Sequence, residues 1–218
     1  RIRFQGSLSP DKRGQLPPAR TPNVWRSSYW NYVIIASSSR LIHYPFIEPA
    51  MNAQIDVERA RFNMVEQQIR PWEVLDQQVL DLLFAVRRED YAPPQYKSLA
   101  FVDMEIPLGG GEKMLAPKLE ARMLQEVAVK PADRILEVGT GSGYMTALLA
   151  KRGAHVTSVE INPEFSAAAA AKLAAHGIAN VTLETGDAAR GWPKNAPYDV
   201  IVLTGSVPVL AEEFQGSL

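Results

Sequence analysis

No cysteine occurs in the 218 residues, and histidine appears only three times, at His43, His155 and His176. The first absence removes disulfides, thiolate nucleophiles and sulfur-ligated metals together. The scatter of the histidines argues against a histidine cluster, so no metal site is expected. No apolar run approaches the roughly 18 to 20 residues that cross a bilayer, and the longest apolar patch near the amino end, Tyr32 to Ala36, is too short for a signal-peptide core. A cytosolic protein with no membrane partner is expected. Neither charge dominates: 23 basic against 24 acidic side chains leave a net charge of -1, which gives no electrostatic footprint for nucleic acid. What is present is ordinary for one folded domain with a sizeable core, 46% hydrophobic and 22% charged residues.

The distribution is uneven. Residues 1–50 hold seven basic side chains against two acidic ones, with six prolines and seven serines. Pro10, Pro17, Pro18, Pro22, Pro45 and Pro49 interrupt every apolar stretch, so neither a helical nor a strand period is sustained, and poor order is expected there. Met51 reads as a natural start and residues 1–50 as an extension. Phe-Gln-Gly-Ser-Leu occurs at residues 4–8 and again at 214–218, and nothing physical accounts for it. Residues 51–130 read as a helical lead-in carrying a substrate-side loop, and residues 131–218 as an α/β core.

In the lead-in, Ala60, Met64, Val65, Gln68 and Ile69 recur at mixed three- and four-residue spacing before Pro71, which predicts a helix over 57–69. Leu75, Val79, Leu82, Leu83 and Val86 predict a second helix, closed by Arg87-Arg88. A loop containing Gly109-Gly110-Gly111 is expected over 101–117, then a helix opened by Pro117 and running to about Val129. From Arg134 the pattern alternates: strands at 135–138, 155–159, 181–184 and 198–203, with helices at 144–152 and 163–175. Short apolar strands alternating with helices of this length imply right-handed crossovers and a doubly wound, mainly parallel sheet of Rossmann-like α/β class. Ligands then belong at the carboxyl ends of the strands.

Gly139-Thr140-Gly141-Ser142-Gly143 sits between a strand and a helix, where glycine lets the backbone turn sharply and approach a ligand closely. Tyr144 occupies the sixth position, where the dinucleotide fingerprint wants glycine or alanine, and no Walker lysine is present. Glu160 ends the second strand, 17 residues after Gly143, and its carboxylate can accept from ribose hydroxyls. Asp187, followed by Ala188, ends the third strand with an acid able to accept from an adenine amino group. Glu137 precedes the glycines and suits a cationic amine better than a pyrophosphate.

From about Arg61 to Phe214 the chain resembles the protein-L-isoaspartate O-methyltransferases. The resemblance rests on Met64-Val65 with Gln68, Ala100-Phe101-Val102-Asp103, Ile106-Pro107-Leu108-Gly109, Ala116-Pro117, the 135–144 stretch, Gly186-Asp187, Gly191-Trp192-Pro193 and Tyr198-Asp199. It implies S-adenosylmethionine as cofactor, held by Glu137, Gly139, Thr140, Gly141, Gly143, Glu160, Asp187 and Ala188. The implied acceptor is a protein or peptide carboxylate, or a small carboxylic acid, facing Asp103 and residues 113–115. One departure stands out. The family reads Gly-Gln-Thr-Ile-Ser-Ala-Pro where this chain has Gly111-Glu112-Lys113-Met114-Leu115-Ala116-Pro117, so the serine assigned to the reacting carboxylate is Leu115 here and the threonine is Lys113. The family also continues beyond the fourth strand, so the last strands are expected to be missing here and the fourth to be left as an open edge. Two other readings are a non-catalytic S-adenosylmethionine-binding module of the same fold and a nicotinamide-dependent oxidoreductase, the latter opposed by Tyr144.

Overall fold

The computed structural model describes residues 32–37, 40–45, 56–206 and 210–218, and the chain divides into two units, 1–54 and 55–218. In the first unit, β1 (Tyr32–Ser37) and β2 (Arg40–Pro45) pair antiparallel, with Ile34 opposite His43. The segment had shown no sustained strand period, so this pairing is an addition to the sequence reading. The rest of what was expected of residues 1–50 falls outside the described residues.

The second unit opens with α1 (Val57–Asn63), started by Asp56, whose side chain accepts from the Arg59 amide at 3.1 Å. It runs on as a π-helical turn over Met64–Ile69. The wider turn packs Met64, Val65 and Ile69 fully into the core. Gln68 on this turn donates to the Phe101 carbonyl at 3.0 Å, tying the lead-in to the segment before the hairpin. Next comes α2 (Gln77–Ala85), capped by Asp76, which accepts from the Gln78 amide at 2.8 Å. The expected loop over 101–117 is instead a hairpin of β3 (Ile106–Gly109) and β4 (Glu112–Met114). Gly109, Gly110 and Gly111 all take positive φ at its tip, a conformation that Cβ-bearing residues rarely adopt. Only Ile106 and Met114 point inward and are buried, too few to show a period in the sequence.

After α3 (Pro117–Val127), the core alternates β5 (Arg134–Val138), α4 (Tyr144–Arg152), β6 (His155–Glu160), α5 (Pro163–Ala175), β7 (Val181–Thr185) and β8 (Val200–Leu203), followed by a short α6 (Glu212–Gln215). The four strands form a parallel sheet in the order β7-β6-β5-β8, in which β5 pairs with both β6 and β8. The chain therefore reverses direction across the sheet between β5 and β8, and the crevice at their carboxyl ends is where such sheets bind ligands. Buried faces hold the layers together. Leu148 and Leu149 of α4 have no exposed surface, and each contributes roughly 2 kcal/mol by leaving water. On the other face, Leu136, Val159, Tyr198 and Phe214 form a second cluster.

The lead-in also buries charge. Arg61 pairs with Glu89 and Glu58, each at 2.5 Å, and its guanidinium lies 5.7 Å from the centre of the Phe101 ring. Arg88, fully buried, pairs with Glu120 of α3. Helix α2 ends at Ala85, just before the Arg87-Arg88 pair expected to close it. Arg87 is more than half exposed, while its neighbour lies in the core. Among the described residues, no helix is long and apolar enough to cross a membrane, and no group of three or more acidic, histidine or cysteine residues is arranged to hold a metal.

Candidate functional site

A cleft of about 410 Å³ opens at the carboxyl ends of β5, β6, β7 and β8, within the size range of small-molecule and cofactor sites. Its floor is Gly139 and Gly141, with Thr204, Gly205 and Ser206 at the end of β8. Apolar walls come from Val138, Val159, Ile161 and Phe165, and Glu160, Asp187 and Ala188 stand at the ends of β6 and β7. Leu108, Glu112 and Lys113 of the hairpin close the remaining side.

The loop after β5 is pinned from several directions. Gly139 has φ +102, and a Cβ there would lie 2.7 Å from the Gly205 amide nitrogen, so glycine is required both for the conformation and for the approach of β8. The Thr204 hydroxyl donates to the Val138 and Gly139 carbonyls at 2.9 and 2.5 Å, stapling the two strand ends across the crevice. Glu160 accepts from the Gly141 amide at 2.8 Å and from the Asn162 amide at 2.9 Å. Both its oxygens are thereby oriented at the cleft, with lone pairs left for a ligand hydroxyl. Asp187 accepts from the Ala189 amide at 2.9 Å, which fixes it at the edge of the opening.

Three expected ligand residues do not line this cleft. Glu137 is not on the cleft wall; it is completely buried beneath the loop, accepting from Thr146 at 2.5 Å and Ser158 at 2.7 Å. Its other oxygen, Oε1, has no partner among the described residues. Burial pushes its pKa up to about 7, against the pull of the Thr146 and Ser158 hydrogen bonds. Thr140 is likewise buried and shares a hydrogen bond of 2.5 Å with Ser158, so Glu137, Ser158 and Thr140 form a chain of polar groups under the loop. Gly143 caps α4, and its missing Cβ leaves room for Ala169 of α5, which it would meet at 3.0 Å. It serves helix packing.

On the acceptor side a second, much smaller chamber of about 40 Å³ separates the hairpin end from the glycine loop, lined in part by Lys113, Leu115, Glu120, Thr140 and Gly141. Leu115 and Lys113 are thus brought to the site. Lys113 touches both chambers and pairs with Glu105 at 2.8 Å. Asp103 lines neither: it pairs with Lys118 at 2.8 Å, whose ammonium lies 3.9 Å from the centre of the Trp72 ring. Sequence reasoning missed Ile161, Phe165, Glu112 and the Thr204-Gly205-Ser206 turn. The last was detectable in principle, because it follows the strand adjoining β5 at the switch point.

A parallel sheet whose first strand lies beside its fourth, with a glycine loop after that first strand, is common to nucleotide-binding α/β folds, and acids at both of the next two strand ends fit the S-adenosylmethionine-dependent α/β methyltransferases among them. A model of the protein-L-isoaspartate(D-aspartate) O-methyltransferase family matches residues 59–218, and the chain belongs to that family. The protein-L-isoaspartate O-methyltransferase 1 of Rhodopseudomonas palustris strain HaA2 is 38% identical over 183 residues, covering 84% of this chain and 72% of that protein. The Gloeobacter violaceus protein-L-isoaspartate O-methyltransferase is 40% identical over 143 residues, or 66% and 70% of the two chains. A solved protein-L-isoaspartate O-methyltransferase superposes with a TM-score of 0.62 at 26% identity, over 74% of this chain and 52% of that one. A Plasmodium falciparum structure in complex with S-adenosyl-L-homocysteine shares the fold, with a TM-score of 0.61 at 19% identity over 74% and 78% of the chains. The nicotinamide oxidoreductase reading is not favoured.

Proposed function

We propose that this chain transfers a methyl group from S-adenosylmethionine to a carboxylate, with isoaspartyl residues of proteins and peptides as the first candidate acceptor and small carboxylic acids as the second. The supporting observation is the wall that the two chambers share, where Lys113 borders both the strand-end cleft and the pocket beside Leu115. In this reading Glu160 accepts from the ribose hydroxyls and Asp187 from the adenine amino group. Ile161, Phe165 and Ala188 pack the adenine, and the glycines at 139 and 141 admit the methionine portion. When bound, S-adenosylmethionine supplies a methyl group on a positively charged sulfur, which a carboxylate oxygen can attack directly.

An acceptor acid of pKa about 4 is already ionised at neutral pH, so no general base is required. What remains for the protein is alignment and exclusion of water. Leu115 can exclude water but offers no hydroxyl, and loss of one positioning hydrogen bond costs on the order of 1 to 3 kcal/mol. Lys113 offers a positive charge toward an arriving carboxylate, in competition with Glu105. A tritium methyl-transfer assay on an isoaspartyl peptide, beside a panel of small carboxylic acids, tests the reading. The expected result is weak transfer to the peptide that Leu115→Ser increases. Binding of S-adenosylhomocysteine without transfer to any carboxylate would overturn it in favour of a non-catalytic binding module.

A further inference from the structure

We infer that the buried Arg88–Glu120 pair is a positioning device for the acceptor wall, holding the backbone at Leu115 in register with the helix that follows the cofactor loop. The inference rests on the reading of Leu115 as an acceptor-side residue. Arg88 makes three contacts from one guanidinium: Nε donates to the Ala100 carbonyl at 2.9 Å, one terminal nitrogen donates to Glu120, and the other donates to the Leu115 carbonyl at 2.6 Å. Its carbon lies 5.0 Å from the centre of the Tyr144 ring. Tyr144 is the first residue of α4, directly after Gly143. One fully buried side chain therefore joins the link between β4 and α3, where Leu115 sits, to the start of the helix beneath the cofactor loop.

Glu120 extends the connection. It is buried, and it lines the small chamber together with Leu115, Thr140 and Gly141. Stability alone explains this arrangement poorly, because a buried ion pair replaced by apolar side chains of similar volume is often no loss and sometimes a gain. Orientation explains it better. A rigid planar fork satisfies three acceptors at fixed angles, which the single ammonium of a lysine cannot do. Burial lowers the Arg88 pKa to about 10, so the fork is still charged at neutral pH. The Arg61–Glu89 pair, also buried, has no residue on either chamber and serves as the internal control.

The test is the double variant Arg88→Met/Glu120→Leu, with Arg61→Met/Glu89→Leu as its control. Three quantities are read: S-adenosylhomocysteine affinity by calorimetry, backbone amide exchange over residues 112–116, and kcat and KM for methyl transfer. The expected result is a cofactor Kd within threefold of the parent, exchange over 112–116 faster by tenfold or more, and kcat lower by tenfold or more with KM changed less than threefold. The control pair should leave exchange at 112–116 unchanged. If the double variant does not fold, Arg88→Lys decides on the same exchange criterion. Unchanged exchange at 112–116 in a folded variant, or equal acceleration across the whole chain, overturns the inference. Absence of transfer by the parent protein would strike the functional reading alone, since amide exchange needs no acceptor.

Discussion

On the sheet side of the cleft, Glu137, Thr140, Ser158 and Glu160 are all buried, and each is hydrogen-bonded to a hydroxyl or a backbone amide. On the hairpin side, Glu105, Glu112 and Lys113 stand in solvent, and the one ion pair among them joins two exposed side chains. A buried acid that loses its donors is left with an unpaid desolvation cost, so the sheet side tolerates little change. An exposed charge can be exchanged for another at almost no cost to the fold. Substitution of an exposed hairpin charge is therefore expected to disturb the fold less than loss of a buried polar group under the glycine loop.

Four measurements can break or sharpen that contrast. The largest effect is expected from Gly139→Ala, where positive φ and the approach of Gly205 coincide. It should cost about 3 kcal/mol in thermal unfolding and abolish calorimetric binding of S-adenosylhomocysteine. A well-folded, binding-competent Gly139→Ala protein would show that the sheet side is softer than its packing implies. Next is Glu137. Burial raises its folded-state pKa from 4.5 to about 7, so the folded protein keeps a proton that the unfolded chain gives up. Its contribution to stability is complete below the unfolded value and is lost as pH rises through the folded one. Glu137→Gln should therefore remove a downward slope in stability between about pH 4.5 and 7, for a relative gain of up to about 3 kcal/mol at pH 8. Parallel urea curves for the two proteins across that window would refute the assignment.

Glu160→Ala removes the acceptor of the Gly141 and Asn162 amides together with the group assigned to the ribose. A cofactor Kd raised at least tenfold, about 1.4 kcal/mol, is expected by calorimetry, and an unchanged Kd would remove Glu160 from the site. The smallest effect belongs to the hairpin. Lys113→Ala should leave the unfolding midpoint where it is and raise KM for a carboxylate acceptor, a rise that fades with added salt because the group is open to solvent. A change in cofactor affinity of the same size would mean that Lys113 serves the donor side instead.

The alternation from Arg134 onward made the parallel core legible, because each strand is a short apolar run and each crossover helix is long enough to cover it. The position of the cleft followed from the glycine loop. Which loop residues face a ligand did not follow: Gly139, Gly141 and Gly143 all need positive φ, yet only the first two border the cleft while the third clears a path for Ala169. Glu137 and Glu160 look alike as acids at strand ends. One turns under the loop and the other toward the opening, a difference set by hydroxyls at Thr146 and Ser158 that no local pattern announces. Arg61 and Arg88 were hidden for a related reason, since their acidic partners Glu89 and Glu120 lie 28 and 32 positions away in sequence. The β3–β4 hairpin escaped because three consecutive glycines carry its turn and too few inward residues flank them.

That hairpin is a party wall: Leu108, Glu112 and Lys113 close the larger chamber, and Lys113 and Met114 also form part of the smaller one. Among the described residues, no atom lies within 4 Å of where a Cβ would stand at its three tip glycines, so it is the backbone conformation that calls for glycine there. One two-stranded element thus bounds both compartments, so the room for donor and the room for acceptor share a single boundary.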